Sequence, residues 1–244
     1  MSEITSVPSL SALWRGLGLA HHNWPGRFTV LLATIVLLLV SQPIFVGHNL
    51  AQSVATVTIS LVLLAALYAF RSTRVFFAIA LVLLVPFVGC RLALLFTSSP
   101  AIELASAISS CLYLVVTVVA LVSRLFIVRS VTLDTISAGI CAYLLMAIAF
   151  AYGFAVVELR HPGSFSTALL ERPGGDIAPL MVSLHNFIYY SFVCLTTTGF
   201  GDITPISDGA RSLSVMESVF GQLYVAILIA RLVSLEVAQS MTKE

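Results

Sequence analysis

The sequence predicts an all-α integral membrane protein: six transmembrane helices, with a re-entrant helix and loop between the last two. Three observations lead to the six spans, and the re-entrant segment rests on a glycine-rich motif between spans five and six. Of 244 residues, 59% are hydrophobic and only 9% charged, where a soluble domain carries about 25% charge. Six apolar runs reach the length of about 20 residues that a bilayer demands. The arginines between the first five runs fall in alternate connections, as orientation by the positive-inside rule requires, although the loop between spans five and six holds Arg160 and Arg172.

The six predicted spans are Phe28–Val46, Ser53–Phe70, Val75–Phe96, Ile102–Val122, Leu133–Val157 and Arg211–Leu235. Ahead of them, Ser9–Trp24 mixes Leu10, Leu13, Trp14, Leu17 and Leu19 with Arg15, His21 and His22. That mixture predicts a helix lying in the cytoplasmic interface, anchored by Trp14 and Trp24. Pro25-Gly26 then turns the chain into the first span. Pro43 and Pro86 fall inside spans one and three, where a bilayer tolerates proline as a kink.

Arg15 and Arg27 precede span one, Arg71 and Arg74 separate spans two and three, and Arg124 and Arg129 separate spans four and five. Gly47–Gln52 and Thr97–Pro100 carry no Lys or Arg. Both termini are therefore expected in the cytoplasm, and the loop between spans five and six outside. That loop, Leu159–Leu180, contains Pro162-Gly163 and Pro173-Gly174-Gly175 and reads as an outer turret. Arg91 stands inside span three, with Glu103 and Glu158 as candidate partners for a structural ion pair.

Other chemistries find little support. The net charge of +1 gives no sign of nucleic-acid binding. The five histidines have no metal-ligand spacing. Cys90, Cys111, Cys141 and Cys194 lie in apolar runs without Cys-x-x-Cys spacing, so they read as small buried apolar side chains. No Gly-x-Ser-x-Gly, paired-histidine or phosphate-loop motif occurs, so no enzyme and no cofactor are expected.

The chemistry concentrates in Cys194-Leu195-Thr196-Thr197-Thr198-Gly199-Phe200-Gly201-Asp202-Ile203. Ser183–Leu195 before it has the length of a short pore helix, with Ser183 as a candidate N-cap. The C-terminal end of that helix carries partial negative charge, which favours a cation near Thr197. The tract Thr197-Thr198-Gly199-Phe200-Gly201-Asp202 resembles the selectivity filter of potassium channels, Thr-x-Gly-Tyr/Phe-Gly-Asp. Such a filter replaces an ion's water with backbone carbonyl oxygens, and its glycines supply backbone angles that a Cβ resists.

From about Leu133 to Val237 the chain resembles the pore of bacterial six-span potassium channels of the voltage-gated-like superfamily. The tracts Gly221-Gln222-Leu223-Tyr224-Val225 and Ala230-Arg231-Leu232-Val233 add to the likeness. The resemblance implies that carbonyls of Thr197, Thr198, Gly199 and Phe200 form stacked cages for K+, with the Thr197 hydroxyl completing the innermost site. It implies that Tyr189 and Tyr190 are an aromatic cuff, that the Phe200 ring packs away from the ion path, and that Asp202 concentrates cations at the outer mouth. The pore-helix carboxylate that locks this Asp in several relatives is replaced by Val193. Thr198 stands where Val or Ile is usual, and its hydroxyl needs a partner. Gly221 has the spacing of an inner-helix hinge, although a glycine there equally serves close packing.

Helical spacing puts Gln222, Val225, Ile229 and Val233 on one face, with Gln222 in the cavity and the last two as an apolar constriction. Glu217, an ionisable residue inside span six, is expected to face the back of the pore helix near Thr196 or Thr198 as filter support. Arg231 is expected to snorkel, with Glu236 as partner.

One chain supplies one filter segment, so a closed ring implies a homotetramer around a central pore. The resulting organisation is a cytoplasmic interfacial helix over residues 1–27, a four-helix voltage-sensor-like domain over 28–130, a pore domain over 131–238 and a short tail over 239–244. Span four lacks the regular arginines of a voltage sensor, and Arg124 and Arg129 lie at its cytoplasmic edge. The nine residues after span six leave no room for a nucleotide-binding regulatory domain.

The expected function is passive, potassium-selective flux across a prokaryotic plasma membrane without strong voltage gating. K+ is the permeant ion, and membrane lipids and three further copies of the chain are the partners; no regulatory subunit is implied. Thr198 and Phe200 leave a weakly selective cation channel as the alternative. A potassium-transporter subunit is disfavoured, because such subunits carry four filter repeats in one chain.

Overall fold

The computed structural model describes residues 27–45, 51–69, 74–96, 99–127, 132–166 and 180–241. The expected interfacial helix with Trp14 and Trp24, and most of the turret, lie outside the described residues. So do the side chains of Arg91, Ser183 and Glu236.

Seven helices occur among the described residues: α1 (Arg27–Phe45), α2 (Ala51–Ala69), α3 (Arg74–Phe96), α4 (Pro100–Ile127), α5 (Leu133–Arg160), α6 (Leu180–Leu195) and α7 (Asp208–Met241). Six coincide with the predicted spans, and α6 with the re-entrant helix. By length and composition α4, α5 and α7 can cross a membrane. The described apolar stretches of α1, α2 and α3 (Phe28–Ser41, Val57–Ala69 and Phe77–Cys90) are shorter than a full span. The protein is thus an all-α membrane protein.

α5 is the hub. It packs against α1, α4, α6 and α7. Its alanines explain why. Ala138, Ala142, Ala147, Ala149, Ala151 and Ala155 are buried, and small side chains let neighbouring backbones approach. Thr132 caps its N-terminus by accepting a hydrogen bond from the Thr135 N–H at 3.2 Å. Glu158 accepts the Gly163 N–H at 2.8 Å and closes the turn after α5; its expected pairing with Arg91 lies outside the described side chains. The Tyr113 hydroxyl on α4 donates to the Leu63 carbonyl of α2 at 2.7 Å, which ties the first helices together.

Two strands of two residues each, β1 (Phe165–Ser166) and β2 (Thr204–Pro205), pair antiparallel. The Ile206 N–H adds a bond to the Ser164 carbonyl at 2.7 Å. This small bridge, which the sequence did not reveal, fastens the segment leaving the glycine-rich loop to the turn after α5. An aromatic cluster lies beneath it. Phe165 meets Phe154, Phe187 and Tyr190 edge to face at 5.5, 5.2 and 5.5 Å between ring centroids, the geometry the ring quadrupole favours.

Candidate functional site

α6 ends at Leu195 and the chain leaves it through turns that hand its last carbonyls new partners. Thr196 N–H donates to Phe192, Thr197 N–H to Cys194 and Thr198 N–H to Val193, at 2.9–3.0 Å. From there φ is positive at Thr197 (56°), Gly199 (62°) and Gly201 (80°) but not at Thr198 or Phe200. Where left- and right-handed residues alternate, successive N–H groups point to one side and, because C=O and N–H are opposed in a planar trans peptide, the carbonyls to the other. Thr197 is a β-branched residue held in the left-handed region, an uncommon and costly conformation found at ligand clamps.

Proton counting explains the three threonines. Thr196 Oγ1 donates to the Phe192 carbonyl at 2.7 Å, so Thr198, 2.8 Å away, must donate to Thr196. That is the partner the Thr198 hydroxyl needed. Thr197 Oγ1 donates to the Thr196 carbonyl at 2.7 Å and accepts from Gln222 Nε2 at 3.0 Å. Gln222, expected to line a cavity, is thus tied to the base of the loop. One lone pair of the Thr197 hydroxyl remains available to a ligand.

At the far end of the loop, the Tyr189 hydroxyl donates to Asp202 Oδ2 at 2.7 Å, and the Ile203 N–H donates to Oδ1 at 3.1 Å. The tether that Val193 cannot provide therefore comes from α6 four residues earlier, a role not legible for Tyr189 in the sequence. The Phe200 ring lies parallel to that of Tyr189, with centroids 6.4 Å apart. Asp202 holds the Tyr189 hydroxyl above the ordinary tyrosine value, because the carboxylate accepts its proton in a hydrogen bond. Tyr189→Phe removes the donor and leaves Asp202 Oδ2 without this partner, so a lower thermal midpoint of the detergent-solubilised protein is expected.

Tyr190 points the other way. Ser214 Oγ donates to the Ala210 carbonyl at 2.8 Å, so Tyr190 must donate its proton to Ser214, also at 2.8 Å. Ser218 Oγ reaches the Cys194 carbonyl at 3.1 Å. Glu217, fully buried, faces α6 as its sequence position predicts, but its partner is Ser191 rather than Thr196 or Thr198. Gly221 sits against the end of α6, where an added Cβ would lie 2.4 Å from the Leu195 carbonyl oxygen.

α7 is otherwise open. Only 6% of its apolar window is buried, against 61% for α5. Val225, Ile229 and Val233 are exposed at 39%, 56% and 57%, on the face that also carries Gln222. The expected pairing with Glu236 lies outside the described side chains, but Arg231 does contact α4. Its Nε donates to the Leu125 carbonyl at 3.0 Å, a terminal amino group donates to the Phe126 carbonyl at 2.6 Å, and its carbon lies 5.5 Å from the Phe126 ring centroid. The last carbonyls of a helix lack intrahelical donors and carry partial negative charge, so Arg231 caps α4 from α7. Charge-assisted bonds of this type contribute about 1.5–3 kcal/mol each when desolvated. Arg231→Gln is expected to lower the thermal midpoint of the detergent-solubilised protein, whereas Arg231→Lys, with one compact donor head, recovers only part of the loss.

Residues 142–237 match a family model described as ion channel. The matched stretch contains every site residue described above. No curated protein matches the chain. The match covers less than half of the chain, and ion transport through a membrane is the function class it supports.

Proposed function

We propose that the protein is a potassium-selective channel in which four copies place residues 197–202 around one axis. The observation that supports this most is the alternation of φ sign from Thr197 to Gly201 within a Thr-Thr-Gly-Phe-Gly tract. Four such strands turn carbonyls of Thr197, Thr198, Gly199 and Phe200 toward a shared line, where they replace a cation's water. Asp202, held by Tyr189, forms a carboxylate ring at the outer mouth. Gln222, Val225, Ile229 and Val233 line the inner half, and the last two close it by dewetting.

A tetramer is the assembly that the likeness to potassium-channel filters implies. One filter strand cannot enclose an ion, and a polar Gln222 on an otherwise apolar exposed face belongs against protein or water rather than lipid. Residues 28–130 form the sensor-like domain and 131–238 the pore domain. Six spans, cytoplasmic termini and a prokaryotic plasma membrane complete the reading. Absence of regular arginines on α4 makes the channel weakly voltage dependent.

A weakly selective cation pore is the second reading. Phe200 stacks on Tyr189 without a hydroxyl to bond the cuff, which leaves the ring plane less firmly held. Bi-ionic reversal potentials of the purified full chain in liposomes separate the two. A potential near the K+ limit supports selectivity; equal Na+ and K+ permeability overturns it.

A further inference from the structure

Glu217 sits on α7 and is fully buried within its own chain, so a neighbouring copy cannot bring a counter-charge into contact with it. Around it are Ser191, Tyr190 and Cys194 on α6 and Tyr143 on α5, the last three within electrostatic reach. Among the described residues no cation pairs with it, and its second oxygen, Oε2, has no hydrogen-bond partner. An ionised carboxylate in that setting would be an uncompensated buried charge, the costliest state available to it.

Proton counting gives the same answer independently. Ser191 Oγ lies 2.5 Å from the Ala147 carbonyl oxygen of α5 and in hydrogen-bond contact with Glu217 Oε1. A serine hydroxyl has one proton. The Ala147 carbonyl has none to give, so the Ser191 proton goes there. The contact with Glu217 is then attractive only if the proton between them belongs to the carboxyl group. Were Glu217 ionised, either the Ser191–Ala147 pair or the Ser191–Glu217 pair would set two acceptors face to face.

We propose that Glu217 is a neutral carboxylic acid in the working channel and acts as a donor, so that a relay from Glu217 through Ser191 to Ala147 ties α7, α6 and α5 together behind the filter. This rests on the filter reading for its functional consequence but not for its chemistry. Glu217 is a positioning residue. It touches no ion, and it fixes the helix whose C-terminal end carries the threonine loop. Keeping it neutral also spares the filter an unbalanced negative charge that would hold cations too tightly to leave.

The test uses the full chain. Infrared difference spectra of the reconstituted protein against Glu217→Gln should show the carbonyl band of a protonated carboxylic acid in the parent alone, unchanged from pH 5 to 8, where an ordinary glutamate of pKa about 4.3 is ionised. In Glu217→Gln the amide still donates to Ser191 and no charge is lost, so single-channel conductance stays within about twofold of the parent. Loss of a charge behind the filter would instead change ion occupancy on the order of tenfold, taking a generic separation of about 10 Å and an effective dielectric of about 20. Ser191→Ala removes the relay's middle member and should shorten openings several-fold. A missing band, a band that titrates near the ordinary glutamate value, a tenfold conductance change in Glu217→Gln, or openings unaltered in Ser191→Ala would each overturn the proposal. If the parent passes no cations at all, the channel reading fails, yet the infrared result still decides the protonation of Glu217.

Discussion

Gly199→Ala is expected to abolish potassium-selective flux while leaving the helices folded. Gly199 has φ of 62°, and an added Cβ there meets nothing within 4 Å in its own chain. The cost is therefore conformational rather than steric. A non-glycine residue in the left-handed region costs about 1–2 kcal/mol, or roughly 4–8 kcal/mol over four subunits if the residues keep register. The strand escapes that cost by flipping a peptide, which turns a carbonyl away from the axis. Thr198→Val is the control. It changes the adjacent residue without demanding positive φ and removes only the bond to Thr196, so K+ flux should persist. Stopped-flow flux into proteoliposomes reads both variants, and circular dichroism reports whether the helices survive.

Gly221→Ala is the second large effect, and it separates two roles for that glycine. A hinge would predict a stiffer helix and a more stable protein, because alanine favours helix over glycine by about 1 kcal/mol. Close packing predicts the opposite. The new Cβ would lie 2.4 Å from the Leu195 carbonyl oxygen and 2.9 Å from Leu195 Cδ1. The carbonyl is backbone at the end of α6 and cannot rotate aside, so α6 or α7 must move. Overpacking of this kind costs about 1–3 kcal/mol per site, which outweighs the propensity gain. Lower thermal stability together with reduced flux is the expected result. The flux falls because Leu195 lies two residues before Thr197. Increased stability with normal K+ selectivity would favour the hinge.

The helices were legible because a bilayer imposes length and apolarity, and those are properties of sequence alone. The bounds were less so: α4 runs on to Ile127 and α7 to Met241, beyond the apolar cores that marked them. The glycine-rich loop was legible because it needs glycine at fixed positions. Its supports were not. The tether from Tyr189 to Asp202, the link from Gln222 to Thr197 and the cap that Arg231 places on α4 are hydrogen bonds between residues 13, 25 and about 105 positions apart. Neither periodicity nor composition encodes such pairings; they depend on how α5, α6 and α7 dock. Glu217 stands between these cases. Its rarity in an apolar helix marked it, and the helix face was readable, but Ser191 emerged only once α6 was set against α7. The β1–β2 bridge left no signal, since two-residue strands have no pattern to detect.

Anomalous diffraction from the assembled channel crystallised in thallium or rubidium locates the monovalent cation. A four-fold assembly is expected, with a column of anomalous peaks on its axis between planes of oxygens from Thr197, Thr198, Gly199 and Phe200. An axis without ion density, or copies arranged so that these residues do not face a common line, would contradict this arrangement.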